Sequence, residues 1–236
     1  MSSPRIEVHD DAAALAAAVA GALVSRLATA QARGLDPHLA LTGGSIADAI
    51  HREVAGVPSD IDWSKVDFWW GDERFVPRDS ADRNAGAARA AFLDPVGVDP
   101  ARVHEIGSSD DFASVADAAQ AYGREVRTHG SGAFELVMLG VGPDGHVASL
   151  FPGHPALEVD DEIAVPVTDS PKPPPERISL TFPALNRTRA SWLVVSGAEK
   201  ADAVARALAG GDVPAARVGG TEETVWFLDR AAASAL

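Results

Sequence analysis

The sequence predicts one α/β domain, with a mainly parallel sheet covered by helices on both faces, over residues 1–236. Two observations predict it. Short apolar runs with the composition of buried strands (HLAL, VDFWW, FELVML) alternate with stretches that read as helices, the order that lays parallel strands under crossover helices. Glycine-rich or polar loops follow these runs directly, and an open α/β sheet carries its chemistry in such strand-end loops.

The elements follow in order. From Asp10 to about Arg33, Leu15, Val19, Leu23 and Leu27 recur every fourth residue, which is one face of a helix, and Gly34 fits its C-terminal stop. HLAL is a strand that enters the turn Thr42-Gly43-Gly44-Ser45. SIADAIHREVA reads as a helix with Ser45 as N-cap and Asp48 in the capping-box position. VDFWW, Val66 to Trp70, is a buried strand ending at the polar loop GDERFVPRDSADRN. Adjacent strand residues point to opposite faces, so Trp69 and Trp70 are assigned to core packing. A helix over Ala85 to Phe92, the turn signals of DPVGVDP and a helix from about Asp111 to Thr128 precede the strand FELVML. Four prolines between Pro171 and Pro175 forbid helix and favour an extended arm. ISLT, SWLVVS and TVWFL are further strands, with a helix from about Glu199 to Leu208 between the last two.

Composition excludes several classes of function. Hydrophobic residues at 46% and charged residues at 23% are ordinary globular usage. The absence of cysteine removes disulfides, thiolate chemistry and Cys-built zinc sites, and fits a cytoplasmic home. A net charge of −14 repels polyanions and argues against nucleic acid. The apolar stretch Ala12 to Val24 is short for a bilayer and has no basic leader, so neither membrane insertion nor secretion is expected. A small anion remains a possible ligand, because a few converging cations and N–H groups make a positive pocket on a negative protein.

Four loops supply such groups. Gly43, Gly44 and Ser45 stand before a helix N-terminus, where free N–H groups attract phosphate; a plain tight turn is the alternative. GGSIA also approximates a nucleophile elbow with Ala47 in place of the second glycine, which keeps Ser45 in view as a nucleophile. Asp72, Glu73 and Arg74 follow VDFWW, with Arg78 and Arg83 close behind; Arg74 suits phosphate oxygens, the acids suit water, a hydroxyl or the arginine, and a solvated charge cluster is the bland reading. In GVGPDGHVASLFPG, glycines 140, 142 and 145 match a dinucleotide fingerprint. Pro143 sits inside it, though, and no amphipathic helix follows, so the glycines are read as folding a loop that presents Asp144 and His146. Lys172 and Arg177 lie on the proline-stiffened arm, which would clamp an anion with less loss of entropy.

In this order LTGGS, WWGDERFVP, LGVGPDGHVASLFPGH, SPKPPPERISLT and the closing VWFLD resemble the 6-phosphogluconolactonases of the pentose phosphate pathway, over nearly the whole chain. The resemblance implies a Rossmann-like sheet of the NagB/RpiA/CoA transferase-like type. It also implies metal-independent, cofactor-free hydrolysis of 6-phospho-D-glucono-1,5-lactone. Glucosamine-6-phosphate deaminases share the glycine turn and the Gly-His loop, but their GHIAFNEPG stretch carries an acid where this chain has Phe151, and phenylalanine supplies no acid–base chemistry. A sugar-phosphate sensor without catalysis is the non-enzymatic alternative. The expected roles are His146 as general base with Asp144 orienting it, and substrate binding by Gly43, Gly44, Ser45, Asp72, Arg74, Lys172 and Arg177. Whether each cation serves the phosphate or the oxyanion stays open. Partners are limited to a small sugar-phosphate lactone, with a monomer or small homo-oligomer expected.

Overall fold

The computed structural model describes residues 3–236. In chain order the elements are β1 (Arg5–His9), α1 (Ala12–Ala32), β2 (His38–Leu41), α2 (Ser45–Gly56), β3 (Asp67–Trp70), β4 (Asp72–Arg74), α3 (Asn84–Ala88), α4 (Asp94–Val96), α5 (Val115–His129), β5 (Phe134–Gly140), β6 (Ala164–Val167), β7 (Arg177–Leu180), α6 (Phe182–Leu185), β8 (Thr188–Val195), α7 (Ala201–Leu208) and β9 (Glu223–Asp229). Six strands form a sheet in the order β1-β9-β8-β5-β2-β3, parallel throughout. Every residue of β2 and β3 is buried, and so is nearly every residue of β8. A half-solvated strand would alternate, so both faces of this part of the sheet are covered.

The helix ends have local causes. Asp11 accepts the Ala14 N–H at 2.8 Å and caps α1, an interaction worth about 1 kcal/mol. At the other end Gly34 takes φ 79°, and the N–H groups of Gly34 and Leu35 close onto Gln31 and Ala30, which is a Schellman stop. With 21 residues α1 is long and apolar enough to cross a bilayer. Its stripe of Leu15, Val19, Leu23 and Leu27 is instead fully buried in the protein core.

Several expectations need correction. The sheet is not one layer of strands: β7, expected among the parallel strands, pairs antiparallel with both β4 and β6 in a separate three-stranded sheet. β6 and β7 are joined as a hairpin, and a short connection forces antiparallel pairing. β4 is three residues of charged sequence with no apolar signal of its own. β6 contains Pro166 but is an edge strand, where a missing N–H is tolerated. β1, also unanticipated, is an edge strand with Ile6 and Val8 exposed. The helix over 85–92 continues through a π turn, Arg89–Leu93, into α4, whose wider geometry accommodates Pro95, a residue without an N–H to donate. α5 begins later than expected because Ser114 caps it, its Oγ accepting from the Asp117 N–H at 3.1 Å.

Ser45 is not the N-cap of α2. Gly44 takes that position and no side chain caps the helix. The first-turn N–H groups, which have no intrahelical partner, are therefore left to whatever occupies the space in front of them. Trp69 and Trp70 are both fully buried, as expected of core residues.

Candidate active site

The chain leaves β2 toward β3 on one side and reaches β5 on the other, so the topological switch lies between β2 and β5. A crevice forms outside the strand ends at such a point. Here the strand ends are joined by the Gly140 N–H, which donates to Thr42 Oγ1 at 3.3 Å. The cleft above them measures about 200 Å³, and its walls include Gly43, Gly44, Ser45, Asp72, Arg74, His146, Lys172 and Arg177. Those eight are the residues expected to bind or act on substrate. Asp144, the ninth, stands behind His146.

Among the polar wall residues, Asn84 and Lys200 were not anticipated. Asn84 Nδ2 donates to the Asp72 carbonyl at 3.0 Å, and a Cβ on Gly43 would lie 1.8 Å from Asn84 Oδ1. Only glycine leaves that space, so Gly43 and Asn84 define each other. Lys200 follows β8, whose loop opens on the same edge as the others; applying the strand-end rule to SWLVVS would have found it.

Strand periodicity sorts the GDER stretch. Residues 72 and 74 share one face of β4, and residue 73 takes the other. Glu73 is fully buried and accepts the N–H groups of Arg74, Asn84 and Ala85 at 2.8–2.9 Å. Burial raises its pKa, with Arg83 and these N–H donors opposing. Glu73 thus ties β4 to the start of α3 and stays out of the cleft. Arg78 pairs with Asp111 at 2.5 Å, and the buried Arg83 donates to the Ile106 carbonyl at 2.6 Å; neither lines the cleft. Arg74 donates one guanidinium N–H to the Asp82 carbonyl at 2.5 Å, while its Nε is buried without a partner. A buried unpaired donor is costly, and on a cleft wall it suits an arriving anion.

His146 Nδ1 and Asp144 Oδ1 are 2.5 Å apart. Burial lowers the His146 pKa, although Asp144 acts in the opposite direction. Burial also works against ionised Asp144, but the hydrogen bond and charge of His146 outweigh it and hold that pKa below the usual carboxylate value. The pair therefore rests as carboxylate and neutral imidazole. An ionised carboxylate only accepts, so Nδ1 carries the hydrogen and Nε2 keeps its lone pair. Phe151 backs the imidazole with ring centroids 4.5 Å apart and supplies part of that burial. A Cβ on Gly142 would stand 2.0 Å from His146 Cε1 and 2.7 Å from Asp144 Oδ1; the glycine provides room for the dyad. No helix follows the glycines: Gly142 and His146 are bridged by a 2.9 Å backbone bond within an irregular loop, as expected once the dinucleotide reading was set aside.

Arg177 is buried, and its guanidinium donates to the carbonyls of Lys172, Pro173 and Pro174 at 3.2 Å. It staples the proline-rich arm and so fixes Lys172 over the cleft. Burial lowers the Lys172 pKa, Asp144 raises it, and Arg177 and Lys200 lower it. Ser45 Oγ and His146 share no hydrogen bond among the described residues, so the activating contact of a serine elbow is not formed. Among the described residues no three His, Cys, Asp or Glu side chains gather as a metal would require.

A larger cavity of about 470 Å³ opens beside His38, Val126, Phe134 and Pro183, at the opposite edge of the sheet. It contains none of the expected residues.

Fold and cleft together define an α/β enzyme of the open parallel-sheet type, with cations and the start of α2 lining one cleft beside a neutral imidazole. The chain belongs to the glucosamine-6-phosphate isomerases/6-phosphogluconolactonase family, whose profile matches residues 10–226. It is 44% identical over 248 residues to a 6-phosphogluconolactonase of Streptomyces coelicolor, covering 99% of this chain and 95% of that one. Identity to the Mycobacterium tuberculosis 6-phosphogluconolactonase is 43% over 244 residues, covering 99% of each. The crystal structure of a 6-phosphogluconolactonase from Thermotoga maritima superposes with a TM-score of 0.86 at 26% identity, covering 96% of this chain and 99% of that one.

Proposed function

We propose that this protein, acting as one domain over residues 1–236 and in the cytoplasm, hydrolyses 6-phospho-D-glucono-1,5-lactone to 6-phosphogluconate with His146 as general base. One observation carries the assignment of roles: Asp144 holds Nδ1 of His146 while Nε2 has no partner among the described residues and the ring lines the cation-walled cleft. Nε2 takes a proton from water as the water oxygen bonds to C1 of the lactone. The C1–ring oxygen bond then breaks, and the imidazolium returns the proton to that oxygen. Such acid–base help contributes about 10²- to 10⁴-fold. The lactone is an activated ester, and this chemistry is sufficient for it.

The phosphate is held by the first-turn N–H groups of α2 with Ser45, and by charge from Arg74, Lys172 and Arg177, with Lys200 added. Fixing this non-reacting group orients the carbonyl toward the water. Asp72 faces the sugar hydroxyls. The deaminase alternative needs a carboxylate where Phe151 stands, buried against His146.

The deciding assay follows acid release with a pH indicator, using freshly generated lactone and correcting for spontaneous opening, beside ammonia release from glucosamine 6-phosphate. Acid release with no ammonia is expected. His146→Ala lowers kcat by about 10²- to 10⁴-fold with little change in KM, whereas Arg74→Ala and Lys172→Ala mainly raise KM. A sensor would release neither product, and wild-type turnover in His146→Ala would remove the histidine from this role.

A further inference from the structure

Asp72 stands among cations and pairs with none of them. It shares a face of β4 with Arg74; across the ladder Arg74 lies opposite Arg177, and Asp72 lies opposite Ser179. Asp72 is in electrostatic reach of Arg177 and His146. Among the described residues, however, its carboxylate makes no ion pair, and its one side-chain partner is Ser149, whose Oγ donates to Oδ2 at 2.6 Å.

Ser149 is fully buried, and its placement is specific. Its own N–H donates to Ser179 Oγ at 3.3 Å. It sits in a four-residue turn closed by the Leu150 N–H on the Val147 carbonyl at 2.9 Å. Ala148, beside it in that turn, is held at φ 49°, a left-handed conformation that strains a non-glycine residue. The chain thus accepts strain to bring this hydroxyl beneath Asp72.

We infer that Ser149 is a positioning residue: it holds the Asp72 carboxylate away from Arg74 and Arg177, so that both arginines keep their charge for the phosphate and Asp72 keeps its other oxygen for a substrate hydroxyl. Two arginines directly opposite on a ladder repel, and a carboxylate released beside them moves onto a guanidinium, because charge-assisted bidentate pairs are the strongest hydrogen bonds available there. That collapse would cancel cationic charge in the cleft without touching the dyad. The inference rests on the proposed binding roles of Asp72, Arg74 and Arg177.

The test measures binding of inorganic phosphate by calorimetry, with lactone kinetics alongside. Ser149→Ala weakens phosphate about tenfold and raises the lactone KM by a similar factor, with kcat within about threefold. Asp72→Asn removes the charge that would collapse, so Ser149→Ala added to Asp72→Asn leaves phosphate affinity as in Asp72→Asn alone. Ser149→Cys, similar in size but a weak donor, shifts affinity in the same direction and serves if the alanine variant does not fold. Unchanged phosphate affinity in the folded Ser149 variant, or an equal loss in both backgrounds, overturns the inference. Phosphate binding is read without turnover, so an inactive wild type would sink the lactonase reading and leave this one standing.

Discussion

Gly142→Ala is the sharpest single test of the cleft geometry. The added Cβ would lie 2.0 Å from His146 Cε1, 2.1 Å from Nδ1 and 2.7 Å from Asp144 Oδ1. Carbon atoms in contact stand roughly 3.5 Å apart, so the imidazole must retreat by about 1.5 Å or the loop must open by as much. A misplacement of about 1 Å at the reacting centre costs about 10²-fold in rate, which is close to 3 kcal/mol of transition-state stabilisation. The substituted position touches the dyad and leaves in place the cations proposed to bind phosphate. Acid release from fresh lactone should therefore show kcat down by at least about 10²-fold with KM within a few-fold. Calorimetric phosphate affinity should stay near wild type. Wild-type kcat in a folded Gly142→Ala protein would mean that the imidazole does not work from the position described.

Two further predictions concern protons. The proposed role of His146 as base requires the neutral imidazole, and burial lowers its pKa below 6.5, so kcat/KM should hold on acidification until below that value; Asp144, Asp72 and Lys172 are the charged groups acting on it, and an acid limb centred above 6.5 would contradict the assignment. His51, buried in α2 with neither ring nitrogen partnered and packed near Phe92, has its pKa lowered to about 4, first by burial and then by Arg52. The unfolded chain takes up that proton first as pH falls from about 6.5 toward 4, so the folded state should lose about 3 kcal/mol over the window. His51→Phe should remove this loss, read as denaturant midpoints against pH, and identical pH dependence in both proteins would refute it.

The local signals in the sequence were the ones with short-range causes. HLAL, VDFWW, FELVML and TVWFL are strands because their apolar runs must be buried on both faces, and α1 follows its hydrophobic spacing. The glycines that bracket His146 and the pair before Ser45 were legible for a similar reason: a close backbone approach excludes side chains wherever it occurs. Asp72 and Arg74 line the cleft because strand ends share an edge, and Lys172 and Arg177 reach it on the proline-stiffened arm.

What the sequence determined alone, then, was a mainly parallel sheet, the order of its buried strands and the types of group at its open edge. Tertiary structure decided which of those groups face one another. It set β7 against β4 in a separate sheet, turned Glu73 inward to hold α3, gave Arg177 to the arm's carbonyls, brought Lys200 and Asn84 into the cleft and placed Ser149 beneath Asp72. Periodicity reports the burial of a face, which is a property of neighbours along the chain. A hydrogen bond such as that between Ser149 and Asp72 depends on the register of segments far apart in sequence, and that register exists only once the chain has folded.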